Sequence, residues 1–403
     1  MKIIKTISFL MYVFLSFSLL GINKNDQHKE PSKYVMINNI TATQESFKQF
    51  TEIFGKSKDK KIAVGAGFII SALKQSPEAA ALQLKQYLSL SEQFEVPVIV
   101  QLDIEQWWGN RPDLWNWWDK NKPGYNPENR KNVEWTSWTP DSAVKIGWRN
   151  WGRQLRVLPM PNLMSPVYRE VCHVEMRKLG TIVMNWWKSL PEEKKYLLVG
   201  VKVGWESAIG VNNWYYPNGN ALLEQPEAND PKYGLTTDSL PDRGVTAIGY
   251  AAVSTLGLAS SGELKEEHNS EVVRLHLEDL CQLMSKCGVP RNRLFTHCGG
   301  WSQGETLYSA ALNKYSCPGW SFYNYASDPK KDITAMKALA LSNAPYWGAV
   351  EWLYQGKYTK EQWMSAFTNT LSDSRIRYMC IFNWESIKDN SNCISSIKEI
   401  TQK

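Results

Sequence analysis

The stretch Tyr196-Leu-Leu-Val-Gly-Val-Lys-Val-Gly-Trp-Glu206 is a short apolar run that ends on a carboxylate. A second run, Tyr346-Trp-Gly-Ala-Val-Glu351, ends in the same way. Short apolar runs are typical of strands that are buried on both faces of a parallel sheet. If both strands belong to one parallel barrel, their terminal glutamates lie at the same mouth.

The rest of the chain alternates β-branched or aromatic runs with longer helical stretches, which indicates a parallel α/β domain. We therefore predict a (β/α)8 TIM barrel, with long aromatic-rich loops at the C-terminal face of the strands. A doubly wound open sheet is the alternative, but no GxGxxG or GxxxxGK[ST] motif follows any predicted strand. The predicted strands cover residues 62–68, 96–103, 143–147, 197–205, 293–297, 319–323, 347–350 and 378–383. The predicted helices cover residues 77–91, 165–190, 271–287, 331–341 and 360–371.

The N-terminus has the character of an export signal. Two lysines precede an apolar run over residues 7–20, and polar residues follow it. This run has the length of a signal-peptide core and is short for a membrane span, although no small-x-small cleavage site follows it. We predict a signal peptide or anchor over residues 1–22, a linker over 23–33 and a single barrel domain over 34–403. The protein is then exported to the periplasm, the cell surface or the medium.

Composition and charge exclude several classes of protein. The chain has 403 residues, is 43% hydrophobic and carries a net charge of +6, so it forms a large core and is not a disordered protein. Its short lysine cluster over residues 56–61 contains Asp59 and predicts a solvated turn, so we expect no nucleic-acid partner. Seven cysteines at irregular spacings match no metal knuckle, and we expect no metal and no cofactor. Their spacing leaves open whether one or two disulfides form after export.

Tryptophan is concentrated in two long connections. The chain has 19 Trp and 18 Tyr, and many of the tryptophans lie in polar stretches rich in Gly, Asn and Pro. Residues 104–142 and 207–245 are too long for bare loops, and each follows the end of a predicted strand. Aromatic rings with an apolar face and a polar edge suit partly wet sites. We therefore expect these segments to wall a cleft that binds an oligo- or polysaccharide, although core filling accounts for part of the tryptophans.

Two carboxyl groups at one mouth, beside tryptophan, form an arrangement that cleaves glycosidic bonds. One carboxylate attacks the anomeric carbon, while the other, kept protonated by burial and by its neighbour's charge, protonates the leaving oxygen. The alternative is that Glu206 and Glu351 are structural acids, each paired to a basic side chain at the base of a loop.

These features resemble clan A of the retaining glycoside hydrolases, whose (β/α)8 barrels carry the acid/base at the end of strand four and the nucleophile at the end of strand seven. In the predicted strand order Glu206 ends the fourth strand and Glu351 the seventh. The resemblance therefore implies Glu206 as acid/base and Glu351 as nucleophile. It also implies that Tyr323 on strand six hydrogen-bonds the nucleophile, and that Trp384 after strand eight forms the floor of a sugar subsite.

The sequence departs from the clan at one position. Most members carry Asn immediately before the acid/base, where it contacts the sugar 2-hydroxyl, and Trp205 occupies that place here. Family 42 β-galactosidases are the nearest family, at a distance. Asn212 or Asn213 is a candidate to replace the missing contact.

The remaining candidates lie at strand ends or in the aromatic loops. Asp103 and Glu105 can bind sugar hydroxyls, replace one member of the catalytic pair, or stabilise a loop near Arg111. His297 can donate a hydrogen bond to a hydroxyl or to Glu206, or serve as a structural histidine. The full set of candidate substrate-binding residues is Asp103, Glu105, Trp107, Trp205, Asn212, Trp214, His297, Trp301, Tyr323 and Trp384.

We therefore predict an exported glycoside hydrolase that cleaves β-linked glycans by a two-glutamate retaining mechanism. The first alternative is a non-catalytic glycan-binding protein on a degenerate barrel, which Trp205 in place of Asn favours. The second is a polysaccharide lyase that uses Tyr323 and His297 and releases an unsaturated product. The sequence leaves open the sugar, the linkage, endo or exo cleavage and the oligomeric state.

Overall fold

The computed structural model describes residues 30–402, apart from residue 59 and residues 151–153, 210–212, 215–246, 300–304 and 355. The strands in chain order are β1 (Lys33–Ile37), β2 (Ile62–Ser71), β3 (Val98–Asp103), β4 (Gly147–Asn150), β5 (Gln154–Val157), β6 (Leu198–Ser207), β7 (Asn213–Trp214), β8 (Leu294–Cys298), β9 (Gly319–Phe322), β10 (Trp347–Trp352) and β11 (Ile376–Ile381). Eight of them close into a parallel barrel in the order β1-β2-β3-β6-β8-β9-β10-β11, while β4, β5 and β7 form a small separate sheet. The predicted α/β barrel is confirmed.

Helices connect the barrel strands. They are α1 (Gln44–Phe54), α2 (Pro77–Phe94), α3 (Pro112–Trp115), α4 (Pro166–Ser189), α5 (Tyr250–Leu256), α6 (Glu266–Lys286), α7 (Ile333–Leu341), α8 (Lys360–Leu371), α9 (Trp384–Ile387) and α10 (Ser391–Ile400). A 3-10 helix over Glu305–Ala311 takes this place between β8 and β9. No helix in the described part of the chain is both long enough and apolar enough to cross a membrane.

Local sequence explains where the predicted helices begin. Ser76 accepts a hydrogen bond from the backbone N–H of Ala79, and Pro77 occupies the first helical position of α2, where its missing N–H costs nothing. Thr359 and Gln362 form a capping box at the start of α8. Such caps satisfy backbone donors that have no partner within the helix.

Two errors in the predicted strand order compensate each other. The first barrel strand, β1, was not predicted, because its five residues directly follow a polar stretch that indicates a linker. The predicted strand at residues 143–147 is wrong. Val144 and Ile146 are buried in a loop outside the barrel, and the backbone oxygen of Val144 accepts a hydrogen bond from the Trp117 indole. Glu206 therefore still lies on the fourth barrel strand and Glu351 on the seventh.

The N-terminal end of the barrel is closed by charged residues. Glu30 forms salt bridges with Arg293 and Arg377, the first at 2.7 Å. Above them the rings of Phe295 and Tyr378 pack edge to face, with centroids 4.9 Å apart. The described end of the predicted linker, residues 30–33, thus packs on the barrel and runs into β1.

The insertion over residues 104–142 has a core of its own. The indoles of Trp108 and Trp115 are buried, and each donates to a backbone oxygen, of Pro159 and of Trp108 respectively. Trp135 is buried as well and donates to the backbone oxygen of Arg130. These three tryptophans stabilise the insertion and do not wall a cleft, which corrects the expectation for this part of the segment. All seven cysteines are free thiols.

Candidate active site at the barrel mouth

A bulge at the end of β6 orients Glu206. The pairing between β6 and β8 shifts register between Val203 and Ser207, and Gly204 has a φ of +81°. A Cβ at Gly204 would lie 2.5 Å from the hydroxyl oxygen of Ser207 and 2.7 Å from Leu277, so only glycine fits. Glu206 itself has a φ of +48°, a conformation that non-glycine residues adopt rarely and often at functional sites. The bulge thus re-aims the side chain that follows it.

Glu351 meets Glu206 from the opposite side of the mouth. It lies in β10, next to a second irregularity in register, and both carboxyl groups are buried, with 4% of Glu206 and 7% of Glu351 exposed. One oxygen of each glutamate and a ring nitrogen of His297 lie within 4.8 Å of one another. Two strand ends that are far apart in the chain therefore build one carboxyl pair.

Tyr323 joins the two carboxyl groups. Its hydroxyl contacts Oε1 of Glu206 and lies 2.8 Å from Oε1 of Glu351. A phenol has one hydrogen and can donate to only one of them, so the other contact needs a proton on a carboxyl group. Burial and the charge of Glu351 raise the pKa of Glu206, and burial also raises the pKa of Glu351. The pair therefore shares a proton at a pH where free carboxyls are ionised.

A second set of hydrogen bonds reaches Glu206 from inside the barrel. Nζ of Lys202 lies 2.6 Å from Nδ1 of His297. An ammonium group only donates, so Nδ1 accepts and the ring proton is on Nε2. Nε2 then donates to the hydroxyl of Ser321 at 2.8 Å, and that hydroxyl donates to Oε1 of Glu206 at 3.1 Å. Burial and the charge of Lys202 lower the pKa of His297 well below its usual range, so this histidine is neutral.

Lys202 and Ser321 were not among the predicted site residues. The sequence contained one indication, since Lys202 is the only charged residue inside the apolar run that precedes Glu206. Its orientation could not be read from strand alternation, because β6 also shifts register near its start, against β3. For Ser321 the only indication was its place two residues before Tyr323, on the same face of β9.

Asp103 and Glu105 stabilise loops and are not exposed to a ligand. Oδ1 of Asp103 accepts hydrogen bonds from the backbone N–H groups of Glu105 and Gln106, each at 3.0 Å. Oε1 of Glu105 accepts from Ser207 at 2.6 Å and lies 3.0 Å from Nε2 of His276. The loop-stabilising alternative therefore describes both acids, with these groups as partners in place of Arg111. Glu105 supports the bulge that carries Glu206.

Trp384 does not form the floor of the mouth. Only 6% of it is exposed, and its ring packs against Phe50 and Phe54 of α1 at centroid distances of 6.4 and 6.5 Å. The last inward-facing side chains of β11 are those of Tyr378 and Cys380, which fill the barrel interior. Phe382 is half-buried and is the aromatic residue that directly follows the eighth barrel strand.

The remaining predicted residues differ in position. Trp205 is half-buried, and the centre of its ring lies 4.8 Å from Nζ of Lys202 and 6.3 Å from the His297 ring. Trp107 is half-buried under Nζ of Lys74, at 5.3 Å. The backbone of Trp214 pairs with that of residue 148 in the small sheet. Asn212 and Trp301 lie outside the described residues.

Glu206, His297 and Glu351 have the residue types of a metal site, with one ligand atom each within 4.8 Å of the others. Their surroundings oppose a cation. The proton on Nε2 of His297 is donated to Ser321, and the other ring nitrogen, Nδ1, accepts from the Lys202 ammonium. The hydroxyl of Tyr323 occupies the place between the carboxyls. A buried positive charge beside the ligands disfavours a second one.

No protein-family model matches the chain, and no curated protein matches it either. Several solved structures are similar in fold. A broad-specificity endoglucanase of family GH5-4 from an uncultured bacterium is 8% identical, with 91% of this chain and 86% of that chain covered and a TM-score of 0.44. A glycoside hydrolase family 5 enzyme from Prevotella bryantii B14 is 9% identical, with 91% and 95% covered and a TM-score of 0.43.

A β-galactosidase from the psychrophilic Marinomonas ef1 is 9% identical, with a TM-score of 0.47 over 92% of this chain. The match spans 59% of the length of that β-galactosidase. At such low identity these likenesses concern the fold alone.

Proposed function

We propose that this protein is an exported glycoside hydrolase that cleaves β-linked glycans with retention of configuration, with Glu206 as acid/base and Glu351 as nucleophile. The observation that carries the proposal is the carboxyl pair at the barrel mouth, with an oxygen of each glutamate within 4.8 Å of the other and Tyr323 bonded to both. Retaining enzymes hold their carboxyls about 5–5.5 Å apart, whereas inverting enzymes need about 6.5–9.5 Å to admit a water. The short separation favours retention.

In the first step Glu351 attacks the anomeric carbon of the sugar while Glu206 gives its proton to the leaving oxygen. The glycosidic C–O bond breaks, and a covalent ester forms between the sugar and Glu351. In the second step ionised Glu206 takes a proton from water, which attacks the anomeric carbon and releases Glu351. The two glutamates and one water molecule account for every proton and bond in both steps, so the reaction requires no cofactor.

The aromatic residues at the mouth suit a sugar ligand. Trp205 and Phe382 are both half-buried where the fourth and eighth barrel strands end, and flat apolar rings stack on the C–H faces of sugars. Export is proposed from the charged and apolar pattern of residues 1–22. The oligo- or polysaccharide substrate would then be met outside the cytoplasm.

Azide rescue of the two glutamate variants tests the assignment. With an activated aryl β-glycoside, Glu206→Ala should still form the glycosyl-enzyme, and added azide should yield the β-glycosyl azide. Glu351→Ala should instead yield the α-glycosyl azide, because azide then attacks from the face that the nucleophile has vacated. The product anomers are distinguished by proton NMR. If both variants retain wild-type turnover of an oligosaccharide, the assignment is wrong.

Glu385→Ala is the matched control. Glu385 follows the eighth barrel strand but is exposed and forms a salt bridge with Lys388 at 2.5 Å, so its loss should leave turnover unchanged. A wild-type protein that binds glycans but releases no reducing ends would support the non-catalytic alternative. A product that absorbs in the ultraviolet would support the lyase.

A further inference from the structure

Lys202 carries an ammonium group that is buried in the barrel interior. Lys202 is 1% exposed and lies inside the barrel, within an otherwise apolar strand. A buried charge costs several kcal/mol unless other groups compensate it. A lysine kept in such a place for packing alone would be replaced by methionine at lower cost in free energy.

We infer that Lys202 is a positioning residue that determines which of the two glutamates carries the shared proton. This inference rests on the proposed function. It explains why one glutamate of the pair, Glu206, is protonated while the other, Glu351, is ionised. Lys202 acts in two ways, through its charge and through its hydrogen bond to His297. It does not contact the reacting atoms in either role.

The charge of Lys202 distinguishes the two glutamates. Among the groups around Glu351, Lys202 is the principal one that lowers its pKa, and Lys202 in turn interacts more strongly with Glu351 than with Glu206. Negative charge is therefore best stabilised on Glu351, and the proton stays on Glu206. Protonated Glu206 can then donate to the oxygen of Tyr323, whose own hydrogen goes to Glu351. With the hydrogen bonds in this direction, Glu206 is protonated and can act as the acid, and Glu351 is ionised and can act as the nucleophile.

The hydrogen bond fixes His297. With Nδ1 occupied by Lys202, only the Nε2–H tautomer of the neutral ring fits, and this tautomer is the one that can donate to Ser321. Ser321 must then turn its own hydrogen toward Glu206. While Ser321 is held as a donor it cannot accept the proton of Glu206, so that proton is left to point toward Tyr323. Without the ammonium group, Nδ1 competes for the ring proton, Ser321 can reverse, and the direction of the Glu206 proton is no longer fixed.

The other groups around Lys202 come from four different strands. Glu351 on β10, Cys380 on β11, Glu206 on β6 and Asp103 on β3 each favour the charged form of Lys202, while burial opposes it and lowers its pKa to about 8. His297 on β8 is neutral. At neutral pH the ammonium is thus charged, and it is the positive partner of the ionised glutamate.

Lys202→Met tests the inference, since methionine keeps most of the stem and removes the charge. We expect the acidic limb of the kcat/KM profile, which reports ionisation of Glu351, to move up by one pH unit or more, and kcat/KM at its optimum to fall 10- to 100-fold. Lys33→Met is the control, because Lys33 begins barrel strand β1 and donates to the backbone oxygen of Asp373. An unshifted acidic limb in a folded Lys202→Met protein would overturn the inference.

Nitrogen-15 NMR of histidine gives a readout that needs no substrate. The chain has five histidines, and a His297→Gln variant assigns the resonance of interest. In the wild type Nδ1 of His297 should be unprotonated and Nε2 protonated, and Lys202→Met should give a mixture of tautomers. A wild type with the proton on Nδ1 would overturn the inference even if the variant did not fold.

Carbon-13 titration of the glutamate carboxyls separates this inference from the proposed function. In the wild type Glu351 should ionise at lower pH than Glu206, and Lys202→Met should reduce or reverse that order. A wild type that hydrolyses no glycan but has this order would disprove the hydrolase and leave the role of Lys202 supported. A wild type that hydrolyses glycans while Glu206 ionises first would disprove the role of Lys202 alone.

Discussion

The hydroxyl oxygen of Tyr323 lies 2.8 Å from Oε1 of Glu351, and the same oxygen contacts Glu206. One phenolic hydroxyl thus bridges two buried carboxyl groups, donating its hydrogen to one and accepting a hydrogen from the other. Both hydrogen bonds of the hydroxyl form only while one of the two carboxyls is protonated. The hydroxyl therefore stabilises the singly protonated state of the pair.

Tyr323→Phe removes the shared hydroxyl and keeps the ring. We expect kcat/KM to fall about 100- to 1000-fold, the range seen when one preorganised donor is lost from a site where charge changes. The assay is hydrolysis of an aryl β-glycoside or of a polysaccharide that the wild type cleaves. Tyr325→Phe is the control, since Tyr325 lies two residues further on and is 40% exposed. Equal activities of the two variants would argue against the bridge.

The pH profile of kcat/KM should be bell-shaped and displaced upward. Both glutamates have a pKa above the usual value, mainly because of burial. Activity should fall at low pH as Glu351 becomes protonated, and at high pH as Glu206 loses its proton. We expect the optimum to lie well above pH 4.5, the ordinary pKa of both groups. An optimum near pH 4 with loss of activity by pH 6 would contradict this assignment.

Glu206→Gln should stabilise the protein while it abolishes turnover. The pKa of Glu206 is higher in the folded state than in the unfolded state, so the wild type is most stable below the unfolded pKa and loses stability as pH rises toward the folded pKa. Glutamine cannot ionise and avoids this loss. Thermal unfolding should give a Tm difference in favour of the variant that grows between pH 4 and pH 8. A Tm difference that stays constant from pH 4 to pH 8 would contradict a raised pKa of Glu206 in the folded state.

Trp384→Ala should mainly lower stability, whereas Phe382→Ala should mainly weaken substrate binding. Trp384 packs in the core against α1, so its loss should lower the free energy of unfolding by about 3–5 kcal/mol. KM should change little in whatever fraction stays folded. Phe382→Ala should raise KM with a smaller loss of stability, because Phe382 is only half-buried and directly follows the eighth barrel strand. Denaturant unfolding and substrate-saturation curves measure the two effects.

Much of the fold was predictable because its determinants are local. The alternation of apolar runs and helical stretches reflects what each segment must bury, and caps such as Thr359 with Gln362 depend on neighbours three residues apart. The two errors in the predicted strands also have local causes. Lys33–Ile37 is too short to stand out beside a polar stretch, and residues 143–147 are apolar because a large insertion has a core of its own.

For the site, the sequence by itself determined that two glutamates end strands of one barrel, since parallel closure sends all such ends to one mouth. Only the tertiary structure decided which neighbours act on them. The register shift near the start of β6 changes the phase of side-chain alternation, and so Lys202 turns inward, while the short helix after β11 turns Trp384 outward. The shared proton, the tautomer of His297 and the bond from Tyr323 depend on atoms from four barrel strands, β6, β8, β9 and β10, meeting within a few ångströms. The order of residues along one strand does not encode that condition.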